Sequence, residues 1–149
     1  MTTTERWNWD LLEHGPAEAS HTALLLPGGM CTTVFFQELM AEPKLADVRL
    51  VAATLPGHGG TAAPDDVSIE NNARLACELA ADLGCDAVVG HSLGANVALE
   101  MAASKSFTGP LVLLAPSFSR EDESKFLRAL DRLSSVAGHL PYVAMLKLV

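Results

Sequence analysis

The sequence is poor in cysteine and in basic residues, and it has no long apolar run. Its three cysteines, Cys31, Cys77 and Cys85, are an odd number without zinc-type spacing, so the sequence predicts neither a disulfide framework nor a metal site. Ten basic residues against 18 acidic ones give a net charge of −8, which repels nucleic acid and anionic membrane surfaces. No segment reaches the roughly 18 apolar residues of a membrane helix. We therefore expect neither a nucleic-acid partner nor a membrane partner.

The remaining composition indicates an ordinary folded domain. Of the 149 residues, 49% are apolar and 19% are charged, which supports a buried core and argues against disorder. The first ten residues have neither the basic start nor the apolar stretch of a secretory signal. The expectation is a protein of a reducing, cytoplasmic compartment.

Apolar runs alternate with helix-forming segments along the chain. Short runs predict strands at residues 22–26, 48–54, 86–89 and 111–115, and an alternating stretch predicts an early strand within 6–14. Helices are predicted between them, from Ser68 to Gly84, from Leu93 to about Lys105, and from Thr32 or Thr33 to Pro43 with the apolar residues Val34, Phe35, Phe36, Leu39 and Met40. This order predicts an α/β fold, with a mostly parallel sheet covered by helices on both faces.

The segment Val88-Val89-Gly90-His91-Ser92-Leu93-Gly94 carries the strongest chemical signal. A Gly-x-Ser-x-Gly between a strand and a helix is typical of a nucleophile elbow, a sharp turn that holds the serine in a strained backbone conformation. Its hydroxyl then projects from the sheet at the positive end of the helix. Ser92 is therefore the candidate catalytic nucleophile, and the alternative is a structural turn with an idle serine.

A second glycine loop, Pro27-Gly28-Gly29-Met30, follows the predicted strand at 22–26. Acyl transfer needs two backbone N–H groups directed at the developing oxyanion. Leu93, directly after the nucleophile, would supply one N–H group, and the loop would supply the other, from Gly29 as first choice and Met30 as second. The alternative interpretation is an ordinary glycine turn.

Three motifs in this order resemble the α/β-hydrolase family: the loop Pro27–Met30, the loop Leu55-Pro56-Gly57-His58-Gly59, and the elbow around Ser92. The resemblance covers residues 6–118, and it implies that residues 1–118 are the N-terminal part of the hydrolase core. Residues 119–149 are similar to the start of the family's helical lid. One departure is Pro27-Gly28, where many members carry His-Gly.

The resemblance also implies a catalytic acid and a histidine after the serine. The only later histidine is His139, which with Asp122 would satisfy the order of a triad. Residues 117–149 nevertheless look helical and lack the strands that would carry such groups. We expect the sheet to be incomplete at its C-terminal side, and the acid and histidine to come from sequence beyond residue 149. His58 is predicted to lie near the site rim in a structural role, with contact to the substrate as the lesser alternative, and His91 is predicted to pack away from the serine.

Two functional hypotheses follow. The first is a serine hydrolase, with no cofactor, that cleaves a small, apolar ester or other acyl substrate through a Ser92 acyl-enzyme. The same fold also serves thioesterases, lactonases, C–C bond hydrolases and cofactor-free haloperoxidases, so the reaction stays open. The second is a non-catalytic half-domain that binds a partner, a missing C-terminal half or another copy, through the open sheet edge at Leu111–Ala115.

Overall fold

A computed structural model describes residues 7–116 of the chain. The predicted lid at 119–149 lies outside the described residues, and so do His139 and Asp122. Within the described part of the chain, no helix has the length and apolar character needed to cross a membrane.

Five strands form one sheet, and their bounds are β1 Leu11–His14, β2 Thr22–Leu26, β3 Arg49–Ala53, β4 Ala87–His91 and β5 Leu111–Leu114. The strand order is β1-β3-β2-β4-β5. β1 pairs antiparallel to β3, and the other neighbours pair in parallel. The mostly parallel α/β sheet predicted from the sequence is confirmed. Because β2, β3, β4 and β5 run in the same direction, the loops at their carboxyl ends emerge along one edge of the sheet.

Two long helices connect the later strands: α2 spans Ile69–Leu83 and α3 spans Leu93–Ala103. The sequence signals at the ends of α2 are confirmed, because the Ser68 hydroxyl accepts a hydrogen bond from the Asn71 N–H. Gly84 ends the helix with a φ of 66°, a left-handed conformation that glycine adopts without strain.

The helix predicted after the first glycine loop is wrong in extent. The structure has a 3₁₀ turn at Thr33–Phe36, a four-residue helix α1 at Gln37–Met40, and a second 3₁₀ turn at Pro43–Leu45. The side chains of Val34 and Phe35 are 60% and 46% exposed. Two causes are visible: β-branched and aromatic residues are poor helix formers, and the Thr33 N–H donates to the Thr54 hydroxyl.

The sheet has a separate apolar cluster on each face, since side chains alternate along a strand. Leu24 and Leu26 of β2 pack with the residues of α2 and α3, including Ala76, Ala80, Val97 and Met101. Ala23 and Leu25 of the same strand pack on the other face with Phe36 and Met40. Helices therefore cover both faces, as predicted, and the loops at the carboxyl edge of the sheet rest on a packed core.

Candidate active site

Ser92 lies at the turn between β4 and α3, at the carboxyl edge of the sheet. Its backbone has φ 50° and ψ −114°, a conformation that costs a residue with a side chain about 1–3 kcal/mol. The Ser92 N–H donates to the Leu114 carbonyl of β5 (2.9 Å), and the Ser92 carbonyl accepts from the N–H groups of Ala95 and Asn96. The predicted strained elbow is present, and backbone hydrogen bonds on both sides hold it.

The two glycines of the elbow are required by close backbone packing. A β-carbon on Gly90 would overlap the Gly94 carbonyl oxygen, and one on Gly94 would overlap the Leu26 carbonyl oxygen. Neither obstacle is a movable side chain. The elbow motif is therefore a consequence of how closely α3 approaches β2 and β4.

The loop Pro27–Met30 lies directly against the elbow. A β-carbon built on Gly28 would be 3.3 Å from Ser92 Cβ, and one built on Gly29 would be 3.6 Å from Leu93 Cδ2. The loop's own hydrogen bond runs from the Cys31 N–H to the Gly28 carbonyl (3.2 Å). Within the described part of the chain, this pattern leaves the N–H groups of Gly29 and Met30 without an acceptor.

These unpaired N–H groups lie beside the start of α3. Leu93 is the first residue of α3, so its N–H has no partner inside the helix. The helix also places the positive end of its dipole at this point. The structure thus gathers Ser92, Gly29, Met30 and Leu93 in one place, and their catalytic and oxyanion-binding roles stay predictions that this geometry supports.

A partly buried hydrogen-bond network that the sequence interpretation missed supports the far side of this loop. The Thr54 hydroxyl donates to Asp10 Oδ2 (2.6 Å) and accepts from the Thr33 N–H (3.0 Å). The backbone N–H of Thr54 also donates to the Asp10 carbonyl (3.0 Å). Asp10 and Thr54 are 44 positions apart in sequence, so no local motif indicates their pairing.

His91 is a packing side chain, in agreement with the sequence interpretation. Its ring stacks on Phe35 with centroids 4.4 Å apart. Its Nδ1 is buried, has no hydrogen-bond partner among residues 7–116, and lies 3.0 Å from where a β-carbon of Gly28 would be. The ring therefore fills the space beneath the glycine loop.

Two further histidines lie at the opposite, amino-terminal edge of the parallel strands. His21 precedes β2 and pairs with the exposed Asp86 (2.9 Å), and His14 lies at the end of the antiparallel β1. None of the histidines between residues 7 and 116 is hydrogen-bonded to Ser92. In the same part of the chain, no group of three His, Cys, Asp or Glu side chains is arranged to hold a metal ion.

A comparison with protein-family models matches residues 23–147 to the model described as the alpha/beta hydrolase family. The chain belongs to the alpha/beta hydrolase family. A comparison of the sequence with curated proteins found no match.

Solved structures share the hydrolase fold. An alpha/beta hydrolase fold protein from Burkholderia ambifaria is 22% identical, with a TM-score of 0.74 over 93% of this chain and 51% of that one. A structure from a study of carboxylesterases of the thaumarchaeon Nitrososphaera gargenis is 18% identical, with a TM-score of 0.68 over 86% and 49%. The N-acyl homoserine lactonase AidH is 23% identical, with a TM-score of 0.61 over 74% and 45%. This chain therefore spans about half the length of the hydrolases it resembles.

Proposed function

We propose that the full-length protein is a serine hydrolase that cleaves an ester or other acyl substrate through an acyl-enzyme on Ser92. One observation carries the proposal: Ser92 occupies a strained turn at the start of α3, against a glycine loop whose N–H groups are unpaired within the described residues. The Ser92 side chain makes no capping hydrogen bond to α3 that would offset this strain, and active sites are where such strain concentrates.

The proposed reaction has two halves. Ser92 Oγ attacks the acyl carbon while a histidine from outside residues 7–116 takes its proton, and an acid orients that histidine. The N–H groups of Leu93 and of Gly29 or Met30 bind the negative oxygen of the tetrahedral intermediate. The histidine then gives its proton to the leaving group, and water releases the acid product and regenerates Ser92. No cofactor takes part in this proposal.

Apolar side chains near the glycine loop support a carbon-rich acyl group as substrate. Met30, in the loop itself, has a φ of 65° and exposes its side chain, and Phe35 is exposed nearby over the His91 ring. Burying such side chains against a substrate is favourable because apolar surface leaves water. Two of the similar proteins, a carboxylesterase from Nitrososphaera gargenis and the lactonase AidH, are hydrolases of ester bonds and fit the same proposal.

The test is covalent labelling of the full-length protein with a fluorophosphonate, which phosphonylates activated serines, followed by mass spectrometry of the labelled peptide. We expect the label on Ser92, and Ser92→Ala should remove both the label and the hydrolysis of an activated short-chain ester. Ser20→Ala is the matched control, because Ser20 is exposed and precedes β2 at the opposite edge of the sheet. Labelling of another serine, or full turnover by Ser92→Ala, would refute the proposal.

The second candidate function, partner binding by a half-domain, rests on β5. Among the described residues β5 pairs only with β4, and the side chains of Val112 and Leu114 are 51% and 41% exposed on one face. Exposed apolar strands favour association. Light scattering of the polypeptide 1–149 and of its Val112→Lys variant tests this candidate. Binding would be favoured over hydrolysis if the polypeptide 1–149 forms a dimer that Val112→Lys dissociates and if no fluorophosphonate labels the full-length protein.

A further inference from the structure

His58 is held in a tight, hydrogen-bonded loop beside the candidate oxyanion loop. Its backbone N–H donates to the Leu55 carbonyl (3.0 Å), and its carbonyl accepts from the N–H and the hydroxyl of Thr61 (2.9 and 2.7 Å). The flanking glycines, Gly57 and Gly59, have φ angles of 79° and 56°. Such a loop positions a side chain without further ordering when a ligand binds.

The loop also packs tightly on the segment that follows the oxyanion loop. A β-carbon on Gly59 would be 2.5 Å from Thr32 Cγ2 and 3.1 Å from Thr54 Cγ2. Only a residue without a side chain fits there. The position of His58 is therefore fixed relative to Thr32 and, through it, to the glycine loop.

Nδ1 of His58 is hydrogen-bonded to the backbone, and this determines that the other ring nitrogen, Nε2, is an acceptor in the neutral ring. Nδ1 lies 3.1 Å from the Pro56 carbonyl oxygen. A carbonyl can only accept, so Nδ1 must carry the hydrogen. In the neutral ring, Nε2 then has no hydrogen and offers a lone pair as an acceptor.

The free nitrogen faces the oxyanion loop. Nε2 of the half-buried His58 lies 3.7 Å from the position that a β-carbon of Gly29 would occupy. No hydrogen-bond donor engages Nε2 within residues 7–116. A substrate whose carbonyl oxygen binds the Gly29 N–H would therefore bring its neighbouring atoms next to an unpaired acceptor.

We propose that His58 Nε2 accepts a hydrogen bond from a hydroxyl or amide N–H carried by the substrate close to its scissile carbonyl. This inference rests on the proposed function, because it takes Ser92 and the Gly29 loop as the acyl-binding site. It makes His58 a residue that determines specificity, and it narrows the substrate class to acyl compounds with a hydrogen-bond donor beside the reacting carbon.

The expected size of the effect follows from ordinary hydrogen-bond energies. A net hydrogen bond between neutral groups changes affinity by about 2- to 12-fold. The wild-type protein should therefore have a kcat/KM about 2- to 12-fold higher for a donor-bearing ester than for its donor-free counterpart. Each rate is divided by that ester's rate of alkaline hydrolysis, so that intrinsic reactivity cancels.

The experiment uses the full-length protein and two pairs of para-nitrophenyl esters, lactate against propanoate and N-acetylglycinate against pentanoate. Two variants separate the contributions of the two ring nitrogens of His58. In His58→Asn the side-chain amide can still donate to the Pro56 carbonyl but is too short to reach the Nε2 position, so the ratio of kcat/KM between donor-bearing and donor-free esters should fall to about 1. In His58→Gln the longer amide can bring an oxygen acceptor to the Nε2 position, so part of the preference should remain. His21→Asn, at the opposite edge of the sheet, is the matched control.

Three outcomes would overturn the inference. The wild type could show no preference in either pair, a result that does not depend on any variant folding. His58→Asn could keep the preference, or His21→Asn could lose it to the same degree. Ser92→Ala distinguishes this failure from that of the proposed function. If Ser92→Ala is inactive while His58→Asn keeps the preference, only the inference about His58 fails; if Ser92→Ala is fully active, the proposed function fails with it.

Discussion

Gly94 of α3 lies so close to the Leu26 carbonyl of β2 that no side chain fits between them. A β-carbon on Gly94 would overlap that carbonyl oxygen and would lie 2.6 Å from the Pro27 carbonyl oxygen. The start of α3, which carries Ser92, is thereby seated on the end of the strand that leads into the Pro27–Met30 loop. One backbone contact thus fixes the distance between the candidate nucleophile and the candidate oxyanion loop.

Gly94→Ala should unfold the protein more easily and abolish turnover. Alanine is the better helix former by about 1 kcal/mol, but here its methyl group must displace backbone atoms at a cost of about 3 kcal/mol, so we expect a net loss of about 2 kcal/mol. Urea denaturation measures the loss. Gly84→Ala is the control, since Gly84 has open space around it and a φ of 66°, which should cost about 1 kcal/mol. Equal losses in the two variants would contradict the packing argument.

The partly buried thiol of Cys85 should make the free energy of unfolding depend on pH in the alkaline range. Burial raises the pKa of Cys85 from 9.0 to about 11, opposed by the Arg49 guanidinium and assisted by the Asp86 and Glu13 carboxylates. Because the folded protein holds this proton more tightly than the unfolded chain, the stabilisation is complete below pH 9 and is lost as the pH rises towards 11.

The measurement for Cys85 is urea denaturation at a series of pH values between 8 and about 11. Cys85→Ser, which does not titrate in this range, should show a shallower fall in unfolding free energy than the wild type. Cys77, whose pKa is also raised by burial, is present in both proteins and cancels in the difference. Identical slopes for both proteins would contradict the prediction.

Features encoded in neighbouring residues could be predicted from the sequence. The strand at Thr22–Leu26, the Ser68 cap, the Gly84 stop and the elbow at Ser92 all have local signals, in apolar runs or in capping and turn residues. The Ser68 cap and the Gly84 stop reflect interactions within a few residues of the chain. The elbow glycines are required by a distant contact, that of Gly94 with the Leu26 carbonyl, but the Gly-x-Ser-x-Gly pattern still identifies the turn in the sequence.

Features that depend on contacts between distant segments could not be predicted. The apolar run Val34-Phe35-Phe36 has a helical pattern, yet the pairing of Thr33 with Thr54 helps to make it a 3₁₀ turn. The Thr54 hydroxyl likewise donates to Asp10, which is 44 positions away in the sequence and has no local signal for this pairing. Tertiary hydrogen bonds overrode or supplemented the local preference in both cases.

The Thr54 hydroxyl should be important for both stability and activity. Thr54→Val keeps the shape of the side chain but leaves the buried Thr33 N–H without its acceptor and Asp10 without its donor. We expect a loss of about 2–3 kcal/mol in unfolding free energy, and a lower kcat because the segment after the candidate oxyanion loop is no longer held. Thermal and urea unfolding measure the first effect, and ester hydrolysis by the full-length protein measures the second.

Two controls accompany Thr54→Val. Thr54→Ser keeps the hydroxyl and removes one methyl group, so it should lose about 1 kcal/mol and keep most of its activity. Thr108→Val changes an exposed threonine and should stay within about 0.5 kcal/mol of the wild type. If Thr54→Ser proves as unstable as Thr54→Val, packing and not the hydrogen-bond network holds this region together.

Ser92→Gly should make the protein more stable and inactive. Glycine adopts the φ of 50° at this position without steric cost, which should recover about 1–2 kcal/mol, and the Ser92 side chain makes no capping hydrogen bond that would be lost. Glycine also has more conformational freedom in the unfolded chain, and this lowers the unfolding free energy by about 0.4–1 kcal/mol. We expect a net gain of about 1 kcal/mol in unfolding free energy, together with loss of turnover.

The comparison of Ser92→Gly with Ser92→Ala separates strain from chemistry. Alanine also lacks the hydroxyl, so both variants should be inactive. The β-carbon of alanine keeps the backbone strain, so the unfolding free energy of Ser92→Ala should stay close to that of the wild type. Urea denaturation of the three proteins under one set of conditions gives the difference. If Ser92→Gly is no more stable than Ser92→Ala, the elbow stores no strain at this residue. If it is more stable, the fold tolerates a destabilising serine conformation at the position where the proposed chemistry requires an exposed hydroxyl.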